Sequence, residues 1–190
     1  MGSDLIDLAR TLAGERLSGV PRRWTHVQGV ADVAAEIAPR IVPIASEAII
    51  AAAWLHDIGY APTVAVTGFH PVDGARFAKD SGMPELVVSL IAHHTGADAE
   101  AAERGLAGDL AEFAPPPRDV LDVVTFADLT TSPDGGSISA ERRITEILSR
   151  YDKADPVHVA VSRSAPELLA SVARVYDRLE LAPAISGQPR

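Results

Sequence analysis

The stretch Ile49-Ile50-Ala51-Ala52-Ala53-Trp54-Leu55-His56-Asp57-Ile58-Gly59-Tyr60 decides how the chain is read. Its first seven residues are apolar all round, the pattern of a helix buried on every side. The run stops at a histidine and a carboxylate, two side chains that are costly to bury without partners. Gly59 stands where a left-handed residue past a helix C-terminus is expected. That puts His56 and Asp57 in the last turn, at the end of the helix dipole that favours a cation. A neutral imidazole beside a carboxylate offers nitrogen and oxygen ligands, a set suited to Fe, Mn, Zn, Co or Ni and poor for Ca. Neighbouring helical side chains diverge by roughly 100°, so Asp57 is expected to bridge two ions while His56 binds one. Taken alone, the dipeptide is more simply a buried histidine beside a helix-end acid, and the remaining histidines must decide.

Outward from this stretch, apolar residues recur at spacings of 3, 4 and 7, and no period-2 run interrupts them. An all-α fold follows, with helices over 3–17, 21–38, 71–79, 84–93, 118–130, 139–151 and 156–180 flanking the central one. Pro39 and Pro43 are expected to close the second helix, and Ser139 opens the helix that carries Arg142 and Arg143. Residues 61–69 read as a loop, 97–117 as a weak helix and covering loop, and 131–139 as a turn-rich loop whose acids lack the register of a calcium site. Residues 1–183 are expected to form one domain and 184–190 a disordered tail.

The chain has 190 residues, 47% of them hydrophobic, enough for one core. It has no cysteine, so a metal must be held by His, Asp and Glu. The formal net charge of −9 argues against nucleic-acid polymers and anionic membranes. No run approaches a membrane span or a signal peptide, and the expected location is cytoplasmic. Assembly as a homodimer is compatible with the sequence.

Five of the six histidines fall between positions 26 and 94. His26 shares the inward stripe of Val30, Val33 and Ile37; His56 ends the face of Ile49 and Ala53; His70 precedes Pro71 at a helix start; His93 and His94 close a helix before Gly96; Asp128 ends the face of Leu121 and Val124. Short helices joined by ordinary loops bring such positions together in a bundle. His158 has no such partner and reads as structural or exposed.

In this order, His26, then His56-Asp57, then Asp128, the chain resembles the HD superfamily of metal-dependent phosphohydrolases over about residues 20–150. The added His70 and the His93, His94 pair are similar to its multi-metal subfamilies. These include the HD-GYP phosphodiesterases and, closest in motif, the bacterial symmetric diadenosine-tetraphosphate hydrolases. Two departures stand out: Tyr60 occupies a position where many members carry lysine, and no Gly-Tyr-Pro segment follows His94, which argues against cyclic di-GMP.

The resemblance implies an HD-domain helical bundle with the metal site in its core. One or two divalent transition-metal ions would be held by His26, His56, Asp57, His70, His93, His94 and Asp128. A phosphoester or phosphoanhydride of a nucleotide or other small phosphorylated metabolite would be hydrolysed by a metal-bound hydroxide. Asp57, His70 and His94 are then the residues at the reacting atoms, with His94 as ligand or proton donor. Arg22, Arg23, Arg76, Arg142 and Arg143 are the candidate phosphate clamps, because a guanidinium fork matches phosphate oxygens. A di-iron oxygenase built on the same ligand order, or a nucleotide-binding regulatory module without turnover, are the competing functions.

Overall fold

The computed structural model describes residues 2–181; the stretch 184–190, expected to be disordered, lies outside the described residues. The chain runs through α1 (Gly2–Leu17), α2 (Pro21–Ile41), α3 (Ser46–Leu55), α4 (His70–Asp80), α5 (Glu85–His93), α6 (Ala97–Arg104), α7 (Ala107–Leu110), α8 (Arg118–Leu129), α9 (Ala140–Ser149) and α10 (Pro156–Leu181). Single 3-10 turns cover Pro43–Ala45, Ile58–Tyr60 and His94–Gly96. Among the described residues there is no β-strand, only an isolated bridge between Thr131 and Ser137. The fold is all-α.

The central helix is α3, which packs against α1, α2, α5 and α8. Ala51, Ala52 and Ala53 are fully buried, and their small side chains let four helices approach one short rod. A helix apolar on all sides has no solvent face to keep, so it takes the middle of the bundle. Its C-terminal end therefore opens into the interior.

Two expectations are corrected. Pro39 does not close α2, which continues to Ile41. Pro39 and Ala35 are both exposed, so water can serve the Ala35 carbonyl that the proline leaves unbonded, and the Val42 N–H still donates to Ala38 O at 2.8 Å. Gly59 is not left-handed, and α3 ends at Leu55, with His56 and Asp57 just beyond it. Glycine is required at 59 because a Cβ there would lie 2.1 Å from the His70 carbonyl oxygen. The end of the 61–69 loop is pinned. The buried Asp73 carboxylate accepts from the N–H groups of Val66, Thr67 and Gly68 at 2.9–3.1 Å and from Thr67 Oγ1 at 2.8 Å.

The long α10 is fastened to α8 by Asp122, which is 5% exposed. Its carboxylate accepts from Ser171 Oγ at 2.8 Å, from Arg174 Nε and Nη2 at 2.8 and 2.7 Å, and from Arg178 Nη2 at 3.2 Å. Burial pushes this carboxyl up, but the hydrogen bonds from Arg174 and Ser171 outweigh it and hold the group below the ordinary aspartate value. A depressed folded-state value contributes stability that is complete above the unfolded value, roughly 3.9, and is lost as pH falls through it toward the folded one. Asp122→Asn is accordingly expected to cost about 2 kcal/mol in urea unfolding at pH 7, because both arginines keep partial solvent contact. The difference from wild type should shrink as the pH is taken below about 4.

Candidate metal centre

Three histidines meet below the end of α3, and their tautomers are fixed by backbone carbonyls. His26 Nδ1–H donates to Ser132 O at 3.0 Å, His56 Nδ1–H to Ala53 O at 2.7 Å and His94 Nδ1–H to Ile91 O at 2.7 Å. Each ring therefore turns Nε2 toward the interior, the orientation that ligating histidines take when a carbonyl holds the other nitrogen. His26 Nε2 lies 3.0 Å from Asp128 Oδ1, and His94 Nε2 lies 3.1 Å from His70 Nε2. Two lone pairs cannot face each other unaided, so a proton or a metal cation must sit between them. His56 Nε2 is sealed from solvent and has no hydrogen-bond partner. An orphaned imidazole lone pair at a fully buried position is what a metal ligand leaves when the cation is taken away.

The ligand atoms of His26, His56 and Asp128 lie within 4.8 Å of one another, and so do those of Asp57, His70 and His94. Asp57 stands between the groups, with Oδ2 3.7 Å from His56 Nε2 and Oδ1 3.5 Å from His70 Nε2. Arg23 Nη1 donates to Asp57 Oδ2 at 2.6 Å, and its guanidinium lies 3.8 Å from the Tyr60 ring centroid. Tyr60 in turn stacks on His70 with ring centroids 4.1 Å apart.

Electrostatics keep the set in ligating form. Burial pushes the Asp57 carboxyl up, but Arg23 and the surrounding histidines outweigh it and hold the group well below the usual range. Asp128 is likewise buried, and His26 leads the groups that hold it down. Burial lowers His56 and lowers His70 strongly, which keeps both rings neutral. His26 is the exception: burial lowers it, but its hydrogen bond to Asp128 prevails and raises it.

Of the residues singled out in the sequence, His26, His56, Asp57, His70, His94 and Asp128 are brought together. His93 is not. Its Nε2–H donates to Phe113 O at 3.0 Å, and its Nδ1 faces Asp98 at 3.3 Å. The cause lies in the backbone: α5 ends at His93, while His94 is extended (φ −62°, ψ 150°), so the two side chains leave in different directions. His158, half-buried, bonds through Nδ1 to Leu148 O and Tyr151 O at 3.2 Å, a structural role.

A narrow cleft of roughly 80 Å³ opens over the Asp57, His70 and His94 group. Arg23 and Arg143 line it. Arg22, Arg76 and Arg142 do not. Arg22 is exposed beside Asp134, Arg76 is held on another face by Asp109 and Glu112, and Arg142 lies one helical step from Arg143, in solvent. The cleft also takes in Thr95, Glu100, Arg150 and Tyr151, which the sequence reading passed over. Arg143, Ile147 and Arg150 all line it at i, i+4, i+7 along α9 and its C-terminal end, and that stripe was the available signal.

No significant match is found among curated proteins or among solved structures. The family model described as HD domain matches residues 23–160, a span from the arginine that holds Asp57 to the first turn of α10. The chain belongs to the HD domain family.

Proposed function

We propose that this protein is a metal-dependent phosphohydrolase acting on a phosphoester or phosphoanhydride of a nucleotide or other small phosphorylated metabolite. The observation that carries this reading is Asp57: its two oxygens face two separate histidine groups, one of which contains a buried nitrogen with no partner. His26, His56 and Asp128 would hold one divalent ion, His70 and His94 a second, and Asp57 would serve both. Such ions, when bound, lower the pKa of water and neutralise charge at phosphorus.

The chain's own residues supply the rest. The carbonyls of Ala53, Ile91 and Ser132 fix the three rings before any ligand arrives, so little ordering remains for binding to cost. Arg23 keeps Asp57 ionised and oriented, and Tyr60 braces both Arg23 and His70. Arg143, 4% exposed, lines the cleft with Nη1 donating to Glu146 Oε2, Nη2 4.0 Å from Asp128 Oδ1 and Nε unpaired, so its guanidinium is held in place beside the site for a phosphoryl oxygen. Arg150, exposed near the rim, adds a second guanidinium. Ile147, Val157 and Val161 with Tyr151 form an apolar side for the rest of the substrate.

The test is a panel of phosphoesters and nucleotides given to protein stripped with chelator and then supplied singly with Mn, Fe, Co, Ni or Mg. Phosphate or nucleotide release that depends on added metal is expected. Substrate-dependent oxygen uptake without phosphate release, or no release with any metal, would overturn the reading.

A further inference from the structure

Among the described residues, the buried side-chain nitrogen and oxygen atoms without a partner include three from residues at the site: His56 Nε2, Arg143 Nε and Thr95 Oγ1. The first is a lone pair that a cation satisfies, and the other two are donors. Thr95 differs from Arg143 in how it is held. It is the only non-glycine among the described residues with a positive φ (φ 38°, ψ 55°), in the left-handed region that a β-branched residue rarely enters. Glycine at 96, itself left-handed at φ 81°, lets the chain leave the turn and begin α6.

A strained backbone and an unsatisfied hydroxyl both oppose folding, and here they coincide in one residue. Nothing in the fold repays them: Thr95 Oγ1 bonds no carbonyl, side chain or helix end. The residue lines the cleft, next in sequence to His94, and Asp57, His70 and Glu100 line the same cleft. The hydroxyl itself is closed to solvent, and the cleft that the residue lines is the route by which a partner would reach it. The carboxylates and histidine lone pairs lining this cleft suit cations, whereas a hydroxyl lining it can donate to an anionic oxygen.

We propose that Thr95 is a phosphoryl-binding residue, whose Oγ1–H donates to a non-bridging oxygen of the phosphoryl group seated at Asp57, His70 and His94. This rests on the phosphohydrolase reading above and adds to it a residue that neither ligates metal nor carries charge. The left-handed turn sets its direction, because an ordinary helical or extended residue at 95 would carry the hydroxyl elsewhere.

The experiment is calorimetric titration of inorganic phosphate into full-length protein loaded with manganese, with metal content measured on each sample. Thr95→Val keeps the shape and removes the donor; it is expected to weaken phosphate binding about tenfold or more at unchanged manganese content. Thr95→Ser restores the hydroxyl and should bind within about threefold of wild type. Thr95→Gly relaxes the backbone and also lacks the donor, so it keeps the test decisive if the valine variant folds poorly, and the same loss is expected. Wild type that binds phosphate while either hydroxyl-free variant binds equally well would overturn the role of Thr95 alone. Wild type that binds no phosphate at all would overturn the phosphohydrolase reading and this proposal with it.

Discussion

Asp57→Ala is expected to lower metal-dependent phosphate release by on the order of a thousandfold and to leave at most one ion per chain. Asp57 reaches both histidine groups, so its removal acts on two sites at once. Metal ions contribute several kcal/mol of charge stabilisation at phosphorus, and each 1.36 kcal/mol or so is a factor of about ten in rate. Arg23, three-quarters buried, would lose its counterion and leave a charge facing the cleft, so the variant should also melt lower than wild type without unfolding at room temperature. Elemental analysis and circular dichroism on the same sample separate the two effects. Full metal content and full activity in this variant would remove Asp57 from the mechanism.

Gly59→Ala should be the most damaging glycine-to-alanine change among the described residues. The added Cβ would meet backbone, at 2.1 Å from His70 O and 2.7 Å from His70 Cα, and no side-chain rotation relieves such a contact. The start of α4 must shift or the Ile58–Tyr60 turn must open, and either moves His70 from its 3.5 Å separation from Asp57. Several kcal/mol of destabilisation is expected, at the upper end of what single substitutions cause, because a close-packed interior cannot absorb a methyl against main chain. Thermal melting of the metal-free proteins reads this directly. If the variant melts within a degree or two of wild type, the close approach of the two turns is wrong.

The legible part of the site was the part carried by helical periodicity. His26, His56 and Asp128 each end or continue an apolar stripe, so the face that buries the stripe also buries the ligand. His70 was legible from the proline after it, which starts a helix. The choice between His93 and His94 was not, because it depends on one residue leaving helical geometry, and neighbouring positions look alike until that happens. Gly59 was assigned the wrong reason: left-handed helix ends are the common use of glycine there, whereas the contact with His70 joins residues eleven apart that no local rule connects. Arg76 looked like a phosphate clamp, and only the fold brings Asp109 and Glu112 to neutralise it. Thr95 lies in the His93–Gly96 stretch that carries part of the family resemblance, but its left-handed backbone is not legible there, since the conformation of a single threonine is set by the turn that contains it.

The six gathered side chains are expected to hold one dinuclear centre. Anomalous diffraction from crystals grown with manganese, recorded on both sides of the metal edge, tests it most directly. Two peaks are expected, one among His26, His56 and Asp128 and one between His70 and His94, with Asp57 touching both. A map with no peak at these residues, or with its only peak at His93 and Asp98, would contradict the account.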